Sequence, residues 1–202
     1  MPGRLWAAES ASSVELADLD SDGDLDAFVG NIGPNTVWLN DGNGNFADSG
    51  LSLGNGFSIG VAIGNLNGDA LPDIAVTNAD PDRWSEYRRR SLDCSERCAL
   101  QYTDTGSGLW GSGSTTEIAL GDIDGNGTID AVVTEFSNND APGDPFRYES
   151  YLSERWHGGT FTESGNVGNM GAFGVALADF DGDGDLDVYI GDNDEQGDRV
   201  LM

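Results

Sequence analysis

A nine-residue motif that occurs four times constrains this chain more than any other feature of its sequence. Its consensus is D-x-D-x-D-G-x-x-D, and the four copies begin at Asp18, Asn65, Asp122 and Asp179. The copies align without internal gaps, and they are spaced by 47 residues (18 to 65) and then by 57 (65 to 122 and 122 to 179). A regular spacing of this length is typical of repeat architectures, in which each unit is one small supersecondary structure.

Each repeat predicts about four β-strands and no helix. Short apolar segments such as residues 27–29 and 74–76 follow the acidic motif, and similar segments precede it. A weaker pattern of an aromatic residue, an acid, a hydroxyl and a glycine recurs at residues 46–50, 102–106 and 161–165. Four-stranded units of about 50 residues predict an all-β fold, a β-propeller of about four four-stranded blades.

The repeats also predict how the chain is divided. We expect a single β-propeller domain over residues 1–202, with repeats at approximately 11–56, 57–113, 114–170 and 171–202. The last repeat lacks a fourth strand, and residues 4–10 resemble a degenerate one that would complete it. Two interpretations stay open: a closed ring of four blades, or one part of a larger propeller.

The acidic motif predicts a metal site in each repeat. Alternate side chains of a tight loop point their oxygens inward, and a glycine after the third ligand permits the sharp turn. Positions one, three, five and nine would bind through side chains, and position seven through its backbone carbonyl. Such an all-oxygen shell of about seven ligands suits Ca²⁺ better than Mg²⁺ or zinc. The predicted metal ligands are Asp18, Asp20, Asp22, Asp24 and Asp26 in loop 1, Asn65, Asn67, Asp69, Leu71 and Asp73 in loop 2, Asp122, Asp124, Asn126, Thr128 and Asp130 in loop 3, and Asp179, Asp181, Asp183, Asp185 and Asp187 in loop 4.

The four loops differ in acid content, so we expect three to four calcium ions with the second site weakest. Loops 1 and 4 carry an acid at all four side-chain positions and loop 3 at three of them. Loop 2 has only Asp69 and Asp73, and Ala70 replaces its glycine. Three or four carboxylates in one small loop repel one another unless a cation neutralises them. The competing interpretation is a run of Asx turns with solvated acids.

These loops are not EF-hands. An EF-hand requires a bidentate glutamate at position twelve of its loop. The twelfth positions here are Val29, Val76, Val133 and Ile190, which are typical of a buried strand.

The charge of the chain argues against several partners, and the predicted calcium sites favour an extracellular location. There are 36 acidic and 9 basic residues, and the formal net charge is −27 at pH 7. We therefore expect no nucleic-acid partner and no attraction to an anionic membrane. No apolar run approaches the roughly 20 residues of a membrane helix, and residues 1–6 lack the apolar core of a signal peptide. Because extracellular modules use weak calcium sites, we expect a secreted or cell-surface protein.

The motif and the segment that follows it resemble the FG-GAP/VCBS repeats, which are integrin-α-like. Residues 35–46 read N-T-V-W-L-N-D-G-N-G-N-F, and the resemblance covers nearly the whole chain. It implies a propeller, commonly of seven or eight blades, that carries calcium in loops on one face. It also implies a role in adhesion, carbohydrate binding or protein contact. Asn65, Asn67 and Ala70 depart from the pattern, as does an insertion at residues 80–99.

We do not expect an enzyme. Residues 56–60 match the G-x-S-x-G motif of a nucleophile elbow, which requires a helix to follow. A strand and an acidic loop follow here, so Ser58 is interpreted as a turn residue. His157 is the only histidine, which disfavours a hydrolytic triad. Two alternatives to an adhesion module remain. One is the propeller portion of a polysaccharide lyase, for which Arg83, Tyr87 and Arg88 would line a groove, and the other is a structural spacer.

Several predictions concern partners and the insertion. Cys94 and Cys98 would form a small-loop disulfide in an oxidising compartment, with unpaired thiols as the alternative. Trp110 and Trp156 are candidates for stacking on sugar rings. We expect calcium and a carbohydrate or protein ligand as partners, with a homodimer if the ring is incomplete.

Overall fold

The part of the chain that can be described consists of β-strands and loops, without a helix. A computed structural model describes residues 10–79, 84–89, 102–104, 114–137, 147–155, 161–169, 172–192 and 198–202. The fold is therefore all-β, as the sequence predicts. The predictions for the strand at residues 4–10 and for Arg83, Cys94, Cys98, Trp110, Trp156 and His157 lie outside the described residues.

The strands form four separate antiparallel sheets in chain order. Sheet I contains β1 (Ala11–Ala17), β2 (Asp26–Asn31), β3 (Asn35–Asn40) and β4 (Phe46–Leu53). Sheet II contains β5 (Ser58–Gly64), β6 (Asp73–Asn78), β7 (Trp84–Arg89) and β8 (Tyr102–Asp104). Sheet III contains β9 (Ser114–Gly121), β10 (Asp130–Ser137), β11 (Arg147–Arg155) and β12 (Phe161–Asn169). Sheet IV contains β13 (Ala172–Ala178), β14 (Asp187–Asp192) and β15 (Arg199–Leu201). In every sheet, each strand pairs with the next strand along the chain.

The sheets pack face to face in succession, and the core lies between them. The first strands make this contact: β1 lies against β5, β5 against β9, and β9 against β13. Successive residues of a strand point to opposite faces, so both faces of an inner sheet must be apolar. We call the face toward the preceding sheet the leading face and the face toward the next sheet the trailing face.

Three apolar clusters fill the spaces between successive sheets. Between sheets I and II, Phe28 and Val37 of the trailing face belong to one apolar cluster with Val61 and Ile74 of the leading face, and all four are buried. The second cluster joins sheets II and III, and the third joins sheets III and IV. Their buried members are Leu66, Ala75, Ile118, Ala131 and Val133 in the second, and Val132, Val188 and Ile190 in the third.

Close approach between first strands depends on glycine. A Cβ atom on Gly60 would lie 2.8 Å from both the Oε1 of Glu117 and the Oγ1 of Thr77. A Cβ atom on Gly121 would lie 2.9 Å from the Cδ1 of Leu177 in β13 and 2.7 Å from the Cδ1 of Leu186 in the loop that follows β13. These distances are below normal contact, so the absence of a side chain permits these sheets to approach.

Ser58 lies in a strand and not in a turn, contrary to the interpretation from sequence. It begins β5 and is fully buried. Its hydroxyl lies 2.9 Å from the Oδ1 of Asn35 and 3.2 Å from the Oδ1 of Asn78. The residue therefore has a structural partner on each of two sheets, because Asn35 belongs to sheet I and Asn78 to sheet II.

Closure of the sheets into a ring is not part of the described structure. Within the described ranges, no contact between β13 and β1 is as extensive as those between successive first strands. The described residues also include no helix long and apolar enough to span a membrane.

Equivalent strand positions of two sheets differ in burial, so the same substitution should change the free energy of unfolding by different amounts. Val37 is 0% exposed on the trailing face of sheet I, whereas Val200, at the equivalent position of sheet IV, is 45% exposed. We expect Val37→Ala to lower the free energy of unfolding by about 2–3 kcal/mol, through lost burial and a cavity. Val200→Ala in dilute solution should change it by less than about 0.5 kcal/mol. Chemical denaturation of the two variants measures the difference, and equal losses would contradict the packing described.

Glu117 predicts a pH-dependent effect on stability. Burial raises the pKa of this carboxyl above its ordinary value of 4.5, the nearby charge of Glu15 adds to the rise, and the N–H of Ile118 opposes it. The folded state therefore holds this proton more tightly than the unfolded state, so stability falls as pH rises through the raised pKa. We expect Glu117→Gln to raise the melting temperature at neutral pH, with a smaller gain near the ordinary pKa. Thermal unfolding across pH tests this, with Glu15→Gln as an exposed control that should gain less.

Candidate metal centres

The four acidic loops occupy the same place in each sheet, between its first and second strands. Loop 1 joins β1 to β2, loop 2 joins β5 to β6, loop 3 joins β9 to β10, and loop 4 joins β13 to β14. Tight turns within them require left-handed backbone, which Gly23 adopts with a φ of 96°. In loop 2 the residue at this position is Ala70, and it is held at a φ of 68°. Because a β-carbon is disfavoured in this region, loop 2 is strained at position six, as loop 1 is at position four, where Ser21 has a φ of 67°.

Alternate side chains of each loop turn inward through Asx turns. In loop 1 the Oδ1 of Asp20 accepts from the N–H of Asp22 at 3.1 Å, and the Oδ1 of Asp22 accepts from the N–H of Asp24 at 3.0 Å. The other loops repeat the pattern at Asn67, Asp69, Asp124, Asn126, Asp181 and Asp183. The Asx turns considered from sequence are therefore present. A carboxylate has two oxygens with about four acceptor sites, so such a turn leaves capacity for a metal.

Three of the four loops bring at least three carboxylates together. The triads are Asp18, Asp20 and Asp22 in loop 1, Asp122, Asp124 and Asp130 in loop 3, and Asp179, Asp181 and Asp187 in loop 4. In each triad, one oxygen from every residue lies within 4.8 Å of the others. Among the described residues, loop 2 provides no such triad. There the amide of Asn67 donates to the Oδ2 of Asp69 at 3.1 Å.

Crowding in loop 1 changes the acidity of its central residue. The pKa of Asp20 is raised above its ordinary value of 3.8, first by burial and then by the negative charges of Asp26 and Asp22. The backbone N–H of Asp22 acts in the opposite direction, and the charge of Asp18 raises the pKa further. A neighbouring cation would reverse the effect of these charges, because it favours the ionised form.

One oxygen in loop 3 lacks any partner within the described structure. The Oδ1 of Asp122 is buried and accepts no hydrogen bond there, whereas its Oδ2 accepts from the N–H of Gly127 at 2.8 Å. A buried acceptor without a donor costs about 1–3 kcal/mol. Because Asp124 and Asp130 are also close, a cation between the three residues would satisfy this oxygen, whereas a neighbouring carboxylate cannot.

The ninth position of each motif has a structural role that the sequence did not predict. Its Oδ2 accepts a hydrogen bond from the backbone N–H of position two, at 2.9, 2.9, 2.9 and 2.7 Å in loops 1 to 4. These residues are Asp26, Asp73, Asp130 and Asp187, and all are at most 4% exposed. In loops 3 and 4 the same residue also belongs to the carboxylate triad. The ninth position therefore fixes the loop to the second strand whether or not it binds metal.

A second turn supports loop 1. The Oδ1 of Asp26 accepts from the N–H of Asn40 at 2.8 Å, and the side-chain amide of Asn40 donates to the carbonyl of Leu25 at 3.1 Å. A Cβ atom on Gly42 would clash with the carboxylate of Asp24, so this turn lies directly against the loop. The N-D-G-N-G sequence at residues 40–44 is typical of such a turn and is the sequence signal for it.

Metal binding by the backbone carbonyl of position seven stays a prediction. Their residues lie in the described loops, where the backbone N–H donates to the side chain of position five, as for Asp24 and Asp185. The residues concerned are Asp24, Leu71, Thr128 and Asp185.

Variants in loop 2 test the structural role of the ninth position separately from metal binding. We expect Asp73→Ala to lower the free energy of unfolding by about 1–3 kcal/mol, because the buried N–H of Leu66 loses its acceptor. The measurement is chemical denaturation in excess chelator, so that metal contributes nothing. Asp69→Ala, which removes an exposed carboxylate from the same loop, should cost less. Equal losses in the two variants would contradict this role.

Comparison with known proteins agrees with these repeats. Residues 8–76 match the family of FG-GAP-like repeats, which confirms the family resemblance drawn from the sequence. The matched segment contains sheet I, both of the first two loops and the start of sheet II. The chain is also 29% identical to Cartilage acidic protein 1 of Mus musculus, over 88% of this chain. It spans only 28% of the length of that relative.

Proposed function

Residues 8–76 are an FG-GAP-like repeat, and on that premise we propose that the chain is a calcium-binding β-propeller acting as an extracellular binding or adhesion module. Three features of the fold support the propeller. Every sheet is a meander of strands in chain order, the first strands lie against one another in succession, and apolar residues fill the spaces between sheets. Radial repetition of such sheets is the architecture of a propeller.

The buried Oδ1 of Asp122 is the observation that carries the calcium proposal. It accepts no hydrogen bond in the described structure, and it belongs to a triad in which one oxygen each of Asp122, Asp124 and Asp130 lies within 4.8 Å of the others. Ligands that are all oxygen favour hard cations, and Ca²⁺ accepts the larger number of oxygens that such a loop offers. When bound, the ion would neutralise the acids of the loop and hold its two ends together.

The same reasoning ranks the loops. Loops 1, 3 and 4 each have a carboxylate triad, and loop 2 has a strained Ala70 and an amide at two of its ligand positions. We therefore propose three to four calcium ions per chain, with the loop 2 site weakest.

Calcium in this proposal is structural, and the module has no enzymatic activity. An ion present at 100 times its dissociation constant stabilises a protein by about 2.7 kcal/mol. Three such sites would contribute about 8 kcal/mol, which is comparable to the whole stability of many domains. Calcium sites with the low affinity of extracellular modules would be empty in a resting cytosol, which favours a secreted or cell-surface protein. The folded module would then offer a rigid, acidic surface to a carbohydrate or protein ligand.

Metal counting tests the proposal. We expect native mass spectrometry of the intact chain to find three to four calcium ions, and thermal unfolding to show a much lower melting temperature in excess chelator. Asp122→Asn combined with Asp124→Asn should remove one ion, because loop 3 then keeps only one carboxylate at its side-chain ligand positions. Asp69→Asn in loop 2 is the matched control and should leave the ion count unchanged at limiting calcium.

The outcomes distinguish the parts of the proposal. No bound metal and no effect of chelator would overturn the calcium sites, and equal filling of all four loops at limiting calcium would overturn their ranking. Binding to immobilised polysaccharides and proteins is then measured with calcium and with chelator. Retention that requires calcium is expected of a calcium-stabilised binding module, and retention by none of these surfaces would favour a structural spacer.

A further inference from the structure

The leading face of sheet I is exposed, although the equivalent faces of the other sheets are covered. Val14 is 58% exposed, whereas Val61 and Ile118 at the same position of sheets II and III are 3% and 5% exposed. The same contrast holds two residues further along the strand, where Leu16 is 54% exposed. Its equivalents are partly buried against the preceding sheet; they are Ile63, Leu120 and Leu177.

The loop of sheet I adds a third apolar side chain to this face. Leu25, at position eight of the motif, is 55% exposed. Its equivalents Ile129 and Leu186 are half-buried, and Leu186 packs toward Gly121 of the preceding sheet. Val14, Leu16 and Leu25 therefore form an apolar surface built to receive a preceding sheet.

The trailing face of sheet IV is exposed in the complementary way. Phe180, at position two of its motif, is 51% exposed, whereas Leu19 and Leu66 at that position are 0% and 1% exposed. Val200 is 45% exposed where Val37 is fully buried. The ring of Tyr189 lies beside Phe180 with centroids 6.2 Å apart. This surface has the composition of a trailing face with no following sheet.

We propose that these two surfaces are the halves of one interface and that a second copy of this chain supplies the missing half to each. The trailing face of sheet IV in one copy packs on the leading face of sheet I in the other. Since each copy carries both halves, two copies form two equal interfaces and close a ring of eight sheets. This is head-to-tail packing that closes, which leaves no apolar end face exposed.

Continuity with the interfaces inside the chain identifies the occupant. A trailing face packs on a leading face three times between sheets I and IV, each time with apolar side chains at the same repeat positions. Among the described sheets, every covered leading face is thus covered by a trailing face of the same repeat. Contact of sheet IV with sheet I of its own chain would have buried Val14 and Phe180, and both are exposed.

Net charge opposes this association and sets the conditions for testing it. Each copy has a formal net charge of −27, so two copies repel at long range. Salt at physiological strength screens charges beyond about 8 Å, whereas contact between apolar faces is unaffected. The measurement is therefore made at physiological ionic strength with calcium present.

The test is the mass of the intact chain in solution, by sedimentation or light scattering at micromolar concentration. We expect twice the mass of one chain. Val14→Asp, on the leading face, and Val200→Asp, on the trailing face, should each weaken association by at least about tenfold, because a charge enters an apolar interface. Both side chains are exposed within one chain, so folding should persist, as circular dichroism would show. Ala47→Asp adds the same charge on the exposed outer strand β4, and it should leave the mass unchanged.

Mixing the two variants distinguishes head-to-tail packing from other dimers. Val14→Asp keeps a normal trailing face and Val200→Asp a normal leading face, so a mixture regains one of the two interfaces and should associate more strongly than either variant alone. A single-chain mass for the unsubstituted protein would overturn the proposal, as would a larger open series of masses. Loss of association in only one of the two variants would also overturn it, since that result indicates like faces in contact.

Discussion

A buried carboxylate that accepts a backbone N–H across each acidic loop is the interaction on which the arrangement of the sites depends. It occurs at Asp26, Asp73, Asp130 and Asp187, always with position two of the motif as donor. Because these side chains are almost fully buried, the bond is protected from water and holds the loop at the end of the second strand. The exposed acids at positions one, three and five are then positioned by short turns within a loop whose ends are already fixed.

Packing between sheets also repeats along the chain, and it explains which strand positions are apolar. A sheet between two others must be apolar on both faces, so residues 73–78 of β6 are all buried. Small residues are needed where first strands meet, and Gly60 and Gly121 provide this space. Two faces differ from all the others: the leading face of sheet I and the trailing face of sheet IV have the same apolar positions, but no described sheet covers them.

Repeat period and residue type were sufficient to predict much of the fold and site. Four aligned motifs predicted an all-β chain, and the acid count of each loop matched which loops form carboxylate triads. Asn65, Asn67 and Ala70 predicted that loop 2 is the weakest site; in the structure this loop forms no carboxylate triad, and Ala70 has left-handed backbone. Ser58 was misinterpreted as a turn residue because a G-x-S-x-G segment is rich in turn formers, whereas its burial between Asn35 and Asn78 depends on two sheets that are distant in sequence.

The sequence by itself determined the repeat, the strand-forming segments and the set of candidate oxygen ligands, because all three depend on neighbours within one loop or strand. Tertiary structure alone decided that Asp122 has a buried oxygen without a donor and that ninth-position acids fasten the loops. It also decided that Val14 is exposed while Val61 is not, although both occupy the same position of the repeat. The physical reason is that burial is a property of what packs against a residue, and identical repeats acquire different surroundings from their place in the series.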